Sequence, residues 1–112
     1  MNVGITGGRD YEDKAHVWQV LDNIHHTNPN INIIVGDARG VDTFACEWAT
    51  QRKVPVLVFH ANWDLHGRSA GPIRNKRMLD HGIDLLLSFK GGRGTANMTK
   101  ITKEKGIEVR MV

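Results

Sequence analysis

The sequence has one cysteine, Cys46, in 112 residues. No internal disulfide can form, which agrees with a reducing compartment, and Cys46 itself reads as a plain helix position. No run of about 18 apolar residues exists, so no segment is suited to crossing a membrane as a helix. A strand-like pattern starts already within Met1-Asn2-Val3-Gly4 and leaves no room for a signal peptide, so the expected location is the cytoplasm. Charge of one sign is also scarce. Fifteen Lys and Arg against twelve Asp and Glu leave a formal net charge of +3, too little by itself to argue for nucleic acid. Six histidines are present, but none forms a His-Glu-x-x-His pair, and His25-His26 at a helix end is more simply a partner for the helix dipole, so no metal is expected. Neither Ser69 nor Ser88 lies in a Gly-x-Ser-x-Gly elbow. The Gly-x-x-x-x-Gly-Lys-Ser/Thr loop of Mg²⁺-dependent triphosphate hydrolysis is absent too, and no cofactor is implied.

What the sequence does have is glycine in two particular places. Phe89-Lys90-Gly91-Gly92-Arg93-Gly94-Thr95 is an apolar run that stops in a glycine-rich turn, after which a helical pattern begins with Thr95 placed to cap it. Val3-Gly4-Ile5-Thr6 runs in the same way into Gly7-Gly8-Arg9-Asp10, with Asp10 placed to cap the next helix. Glycines let backbone N–H groups approach an anion, and a helix N-terminus adds unpaired donors and positive potential, which together make a phosphate cradle. Either loop alone is as consistent with a plain tight turn. Two of them, each with an arginine, Arg9 and Arg93, favour the cradle.

The rest of the chain alternates between two periods. Residues 1–6 read as a buried strand. Over residues 11–26, Val17, Val20, Leu21 and Ile24 stand at i, i+3, i+4, i+7, with Ala15 and Trp18 widening that face. Thr27-Asn28-Pro29-Asn30 is a turn, and residues 31–35 are a β-branched run suited to a strand covered on both sides. Gly36-Asp37-Ala38-Arg39-Gly40 follows, its two glycines either bringing backbone close to a ligand or serving the loop. The helical face of Val41, Phe44, Ala45 and Trp48 comes next and ends near Pro55. Residues 56–59 read as a third buried strand and residues 60–69 as a loop of no clear period, the kind that is often functional. Trp63 within it either stacks on a nucleobase or anchors the loop on the core. Pro72 marks the first turn of another helix that closes at His81-Gly82, residues 83–89 form a fourth strand, residues 96–105 a helix capped by Gly106, and residues 107–112 a half-exposed edge strand.

Five strands alternating with four helices predict one α/β domain over residues 1–112, a Rossmann-like three-layer sandwich on a mostly parallel sheet. With strand order 3-2-1-4-5 the first and fourth strands become neighbours at the point where the order reverses, and the two glycine loops face each other there.

Gly7-Gly8-Arg9-Asp10-Tyr11, the Gly-Asp-Ala-Arg-Gly-Val-Asp run that starts at Gly36, Ala70-Gly71-Pro72-Ile73-Arg74-Asn75, and Gly91-Gly92-Arg93-Gly94-Thr95-Ala96-Asn97 together resemble the small single-domain SLOG proteins. That Rossmann-like superfamily includes the lonely guy (LOG) phosphoribohydrolases and the DprA recombination mediator. The resemblance covers essentially the whole chain. It implies a nucleotide or nucleotide-derived, ADP-ribose-like ligand, a bacterial or phage setting, and a homo-oligomer in which a neighbour's Arg74 segment completes the site. In the LOG enzymes a glycine loop like residues 91–95 holds the phosphate, and a glutamate three residues after its threonine acts with an arginine similar to Arg74. Here the glutamate position is Met98, whose thioether cannot handle a proton. Asp10, Asp37 or Asp42 remains as a substitute carboxylate, each of them equally a helix cap or a ribose ligand. The resemblance thus implies ligand-binding residues Gly7, Gly8, Arg9, Asp10, Gly36, Asp37, Gly40, Arg74, Asn75, Gly91, Gly92, Arg93, Gly94 and Thr95, joined by Trp63. Arg74 and Asp42 are the candidates for catalysis. A binding module is the first expectation, an N-glycosidase of nucleoside 5′-monophosphates the second, and DprA-like single-strand binding a third that the weak charge and few aromatics disfavour.

Overall fold

The computed structural model describes residues 1–112. Its elements are β1 (Asn2–Thr6), α1 (Lys14–Thr27), β2 (Asn32–Gly36), α2 (Val41–Arg52), β3 (Val56–Phe59), a single helical turn α3 (Trp63–His66), a 3-10 turn (Gly67–Ser69), α4 (Ala70–His81), β4 (Leu85–Ser88), α5 (Arg93–Glu104) and β5 (Glu108–Met111). The sheet is all parallel in the order β3-β2-β1-β4-β5, as the sequence predicts.

Strand alternation divides the apolar residues between two layers. Val3, Ile5, Ile33, Val35, Leu85 and Leu87 point to the side carrying α1 and α2, where they join Val17, Leu21, Ala45 and Trp48 in the larger core. Ile34 and Leu86 point to the other side and meet Met78 and Leu79 of α4 and Met98 of α5. Both faces of the central strands are therefore covered, which is why they read as unbroken apolar runs. Gly4 lies between two such strands because a Cβ there would come within 2.8 Å of the Ile83 side chain. The two helices of the first layer are also tied at their polar edge, where the buried Trp48 indole N–H donates to Asp22 (2.8 Å) and Arg52 makes two bonds to the same carboxylate.

Five expectations change. β3 is not buried as its apolar run suggests but half-buried with Leu57 exposed, because the order 3-2-1-4-5 puts it at the sheet edge with one neighbour, β2. Residues 60–69 are not a featureless loop: Asn62 accepts a hydrogen bond from the Leu65 N–H and caps α3. α1 starts at Lys14 with Asp13 as its cap, accepting from the His16 N–H at 3.0 Å, while Asp10 is fully in solvent near Arg39. Ala15 is exposed rather than part of the packed face. α5 likewise starts three residues earlier than the threonine suggests. Gly92 is its N-cap, and the Thr95 hydroxyl lies in the first turn packed over the Gly91 backbone.

Candidate functional site

At the carboxyl ends of β1 and β4 the chain turns twice into glycine, and the two turns are bonded together. The Phe89 N–H donates to the Thr6 carbonyl and the Gly8 N–H to the Lys90 carbonyl, both at 2.9 Å. The Val41 N–H adds a longer bond, 3.3 Å, to the Gly8 carbonyl. The glycines serve this lacing in different ways. At Gly7 a Cβ would run into the Val41 side chain, and at Gly91 into the Thr95 hydroxyl and the Gly8 N–H. At Gly92 and Gly94 a Cβ would meet nothing within 4 Å. The first pair is therefore required by packing, whereas the second opens on empty space at the start of α5.

That space is a cleft of about 930 Å³. Its floor is the pair of glycine loops, and the first-turn N–H groups of Arg93, Gly94 and Thr95 have no acceptor in the chain. Gly7, Gly8, Arg9, Asp10, Asp42, Trp63, Arg74, Asn75 and residues 91–95 all line it, so most of the residues expected at the site come together. The Gly8 N–H is nevertheless committed to Lys90 and is not free for an anion. Arg68, Lys90 and Asn97, not singled out as ligand residues, line the cleft too. The basic character of the segments around residues 68 and 90 was the available signal for the first two.

Gly36, Asp37 and Gly40 are placed apart. Gly36 and Asp37 line a second, more open hollow of about 640 Å³ along α2, and Asp42 stands in the wall between the two spaces. Gly40 has φ +74° and lies against the backbone of Gly8 and Arg9, where a Cβ would be 2.8 Å from the Arg9 carbonyl oxygen and closer still to that of Gly8. It lets the start of α2 abut the first glycine loop. Gly40→Ala is therefore expected to lower stability by about 2–4 kcal/mol through left-handed strain plus displacement of that loop. Urea unfolding reads it, and an unchanged midpoint would show that the loops are not held together there.

Arg74 is only 11% exposed at its side chain and is held in its own chain: Nη1 donates to Asp37 Oδ1 at 2.8 Å and Nε to Asn75 Oδ1 at 3.0 Å. Asn75 is buried, and its amide nitrogen donates to the Gly94 carbonyl (3.1 Å) and to Asn97 Oδ1 (3.0 Å). This asparagine thus orients the arginine and ties α4 to the first turn of α5; its polar atoms are spent on the protein rather than presented to the cleft. The placement also removes the reason for borrowing Arg74 from a neighbouring copy, since each chain brings it to its own cleft.

Asp42 is 6% exposed, and its Oδ2 accepts from the Ala38 N–H at 3.1 Å. Burial pushes its carboxyl up to about 6, helped by the neighbouring Asp37 charge and opposed by the Ala38 bond and Arg74. Met98 lies in the core beneath α5 with no exposure, so the position that resembles the catalytic glutamate offers no proton-handling group and does not line the cleft.

A model of the YspA, cpYpsA-related SLOG family matches residues 1–66, which include the first glycine loop and the Gly36 to Asp42 segment. The Gene 61 protein of Mycobacterium phage D29 is 34% identical over 113 aligned residues, covering 94% of this chain and 90% of that protein. No solved structure matches.

Proposed function

The chain belongs to the YspA, cpYpsA-related SLOG family, and from that premise we propose that it binds a nucleotide or nucleotide-derived, ADP-ribose-like small molecule in the cleft between its two glycine loops. It does so as one domain, acting as a sensor, carrier or sequestering module in the cytoplasm of a bacterial or phage-infected cell, and it self-associates. One observation carries this reading. The free N–H groups at the start of α5 open into the same cleft as Arg9, Arg68, Arg74, Lys90 and Arg93, so unpaired donors and positive charge converge where strand order reverses.

A second reading rests on Asp42. Burial pushes its carboxyl up to about 6 beside Arg74 at the cleft wall, a shift toward the range that general acid–base chemistry uses. Asp42 would then take a proton from a water attacking the anomeric carbon of a nucleoside 5′-monophosphate; the C–N bond breaks with its electron pair going to the base, and the proton passes from Asp42 to the base, giving free base and ribose 5-phosphate.

One experiment separates the two. Excess protein is incubated with a panel of nucleoside monophosphates, ADP-ribose and cyclic nucleotides, filtered, then heated, and the released compounds are identified by mass. A ligand depleted from the filtrate and returned unchanged supports binding, and its return as base and sugar phosphate supports hydrolysis. Depletion of nothing would overturn both. Arg74→Ala, with folding checked by circular dichroism, is expected to weaken capture by one to two decades, since a charge-assisted hydrogen bond contributes about 1.5–3 kcal/mol.

A further inference from the structure

Trp63 and Arg68 line the cleft from the segment of residues 62–69, in which every one of the eight residues is exposed. Among them Trp63 is the anomaly. Its side chain is absent from both apolar clusters, and the residue is 51% exposed, whereas Trp48 is wholly buried and Trp18 is packed against the larger core with its N–H bonded to the Phe44 carbonyl. It is not an anchor for the loop. The far edge of the indole rests over Gly71, where a Cβ would stand 3.4 Å away, so the ring has bare backbone on one side and the cleft on the other. A large aromatic left half uncovered in a cleft where the free N–H groups of α5 and the cations Arg9, Arg68, Lys90 and Arg93 stand alongside the carboxylates of Asp10, Glu12, Asp13 and Asp42 is matched by a ligand that joins an aromatic ring to an anionic end.

We propose that the Trp63 indole is the stacking platform for the base of a nucleotide, and that residues 62–69, rather than the glycine loops, are where this site distinguishes nucleotides from sugar phosphates. The inference rests on the phosphate-end reading given above and adds the other end of the ligand. The glycine loops and the start of α5 present only backbone donors and charge, which any phosphate ester satisfies. Discrimination requires a surface that a base fills and a bare sugar phosphate does not. Trp63 is the one aromatic side chain lining the cleft besides Tyr11, and Tyr11 is already engaged edge-on with Phe89 at 5.8 Å between ring centres. Arg68, on the same segment, brings a cation to the cleft beside the indole.

The test compares AMP and ADP-ribose with ribose 5-phosphate by titration calorimetry, on the wild type, Trp63→Ala and Trp63→Phe. Stacking on an aromatic side chain is commonly worth a tenfold change in affinity or more. Trp63→Ala should weaken AMP and ADP-ribose about tenfold, leave ribose 5-phosphate within twofold, and be largely rescued by Trp63→Phe. Tryptophan emission of the wild type should respond to AMP and not to ribose 5-phosphate, and Trp63→Phe should lose that response. Equal weakening of all three ligands, or none, would overturn the role of Trp63 while leaving the phosphate site standing. If the wild type binds none of the three, the nucleotide reading falls and the platform falls with it. Because Trp63 is half exposed and belongs to neither apolar cluster, losing its contact with Gly71 should cost little, and melting of the three proteins within a few degrees of one another keeps a folding defect from imitating the result.

Discussion

Gly92→Asp is expected to abolish capture of the nucleotide while leaving the protein at least as stable as the wild type. Gly92 is the N-cap of α5 with a negative φ of −100°, and a Cβ there meets nothing within 4 Å. Aspartate is among the favoured residues at that position. Its carboxylate accepts from the N–H groups of the first turn and faces the positive end of the helix, for a gain of about 0.3–1 kcal/mol. Those same donors are what an anionic ligand needs. The carboxylate both occupies them and repels the ligand, and losing two charge-assisted hydrogen bonds at about 1.5 kcal/mol or more each corresponds to about a hundredfold loss of affinity. Thermal melting and calorimetry on one preparation check both halves. Gly92→Ala, which adds only a methyl group, should bind within about tenfold of the wild type. Binding by Gly92→Asp within threefold of the wild type would move the anion away from the start of α5.

The sequence makes this site legible only in part, and the division has a physical basis. The alternation of Ile33, Ile34 and Val35 between two cores forces a sheet covered on both faces, and a right-handed crossover then brings β1 beside β4. The meeting of residues 7–8 with residues 90–91 follows from that topology. Caps are a different matter. Asp10 and Asp13 are equally good capping residues, and which one caps depends on where the lacing of Gly8 to Lys90 releases the chain, a long-range effect that local spacing does not carry. Glycine has the same ambiguity. Gly40 and Gly92 look alike in the sequence, yet the first is needed by a positive φ and a tight backbone contact, and the second by nothing in the protein itself. Only the positions with open space around them retain a ligand as their reason. Arg74, Asn75 and Trp63 are all named from the sequence, but the part each plays is not, because burial decides it: Asn75 is buried and spends its polar atoms within the protein, and Trp63 is left half uncovered.

The second large effect concerns Asp42, and it is read through pH. Its folded value of about 6 lies above the ordinary 3.8 because burial disfavours the charged form. The group is raised on folding, so the folded state holds the proton more tightly than the unfolded state. The associated stability is full below pH 4, falls as pH rises from about 4 to 6, and is flat above that. A gap of about two pKa units corresponds to up to about 3 kcal/mol by pH 7. Asp42→Asn keeps an oxygen to accept from the Ala38 N–H and carries no charge to bury, so the variant should be more stable than the wild type at pH 7.5 by up to that amount, with the difference closing as pH falls to 4. Urea unfolding at the two pH values measures it, and equal stability at pH 7.5 would show that Arg74 fully compensates the carboxylate. Asp42 lines the cleft, and on the proposed reading its destabilising charge is kept for the ligand, since such positions are where gains in stability cost function. The same variant should therefore bind AMP more weakly if Asp42 accepts from a ribose hydroxyl, or stop releasing free base if it acts on the glycosidic bond. A variant that is more stable and unchanged in both respects would leave Asp42 as a structural carboxylate and return the whole ligand to the glycine loops and Arg74.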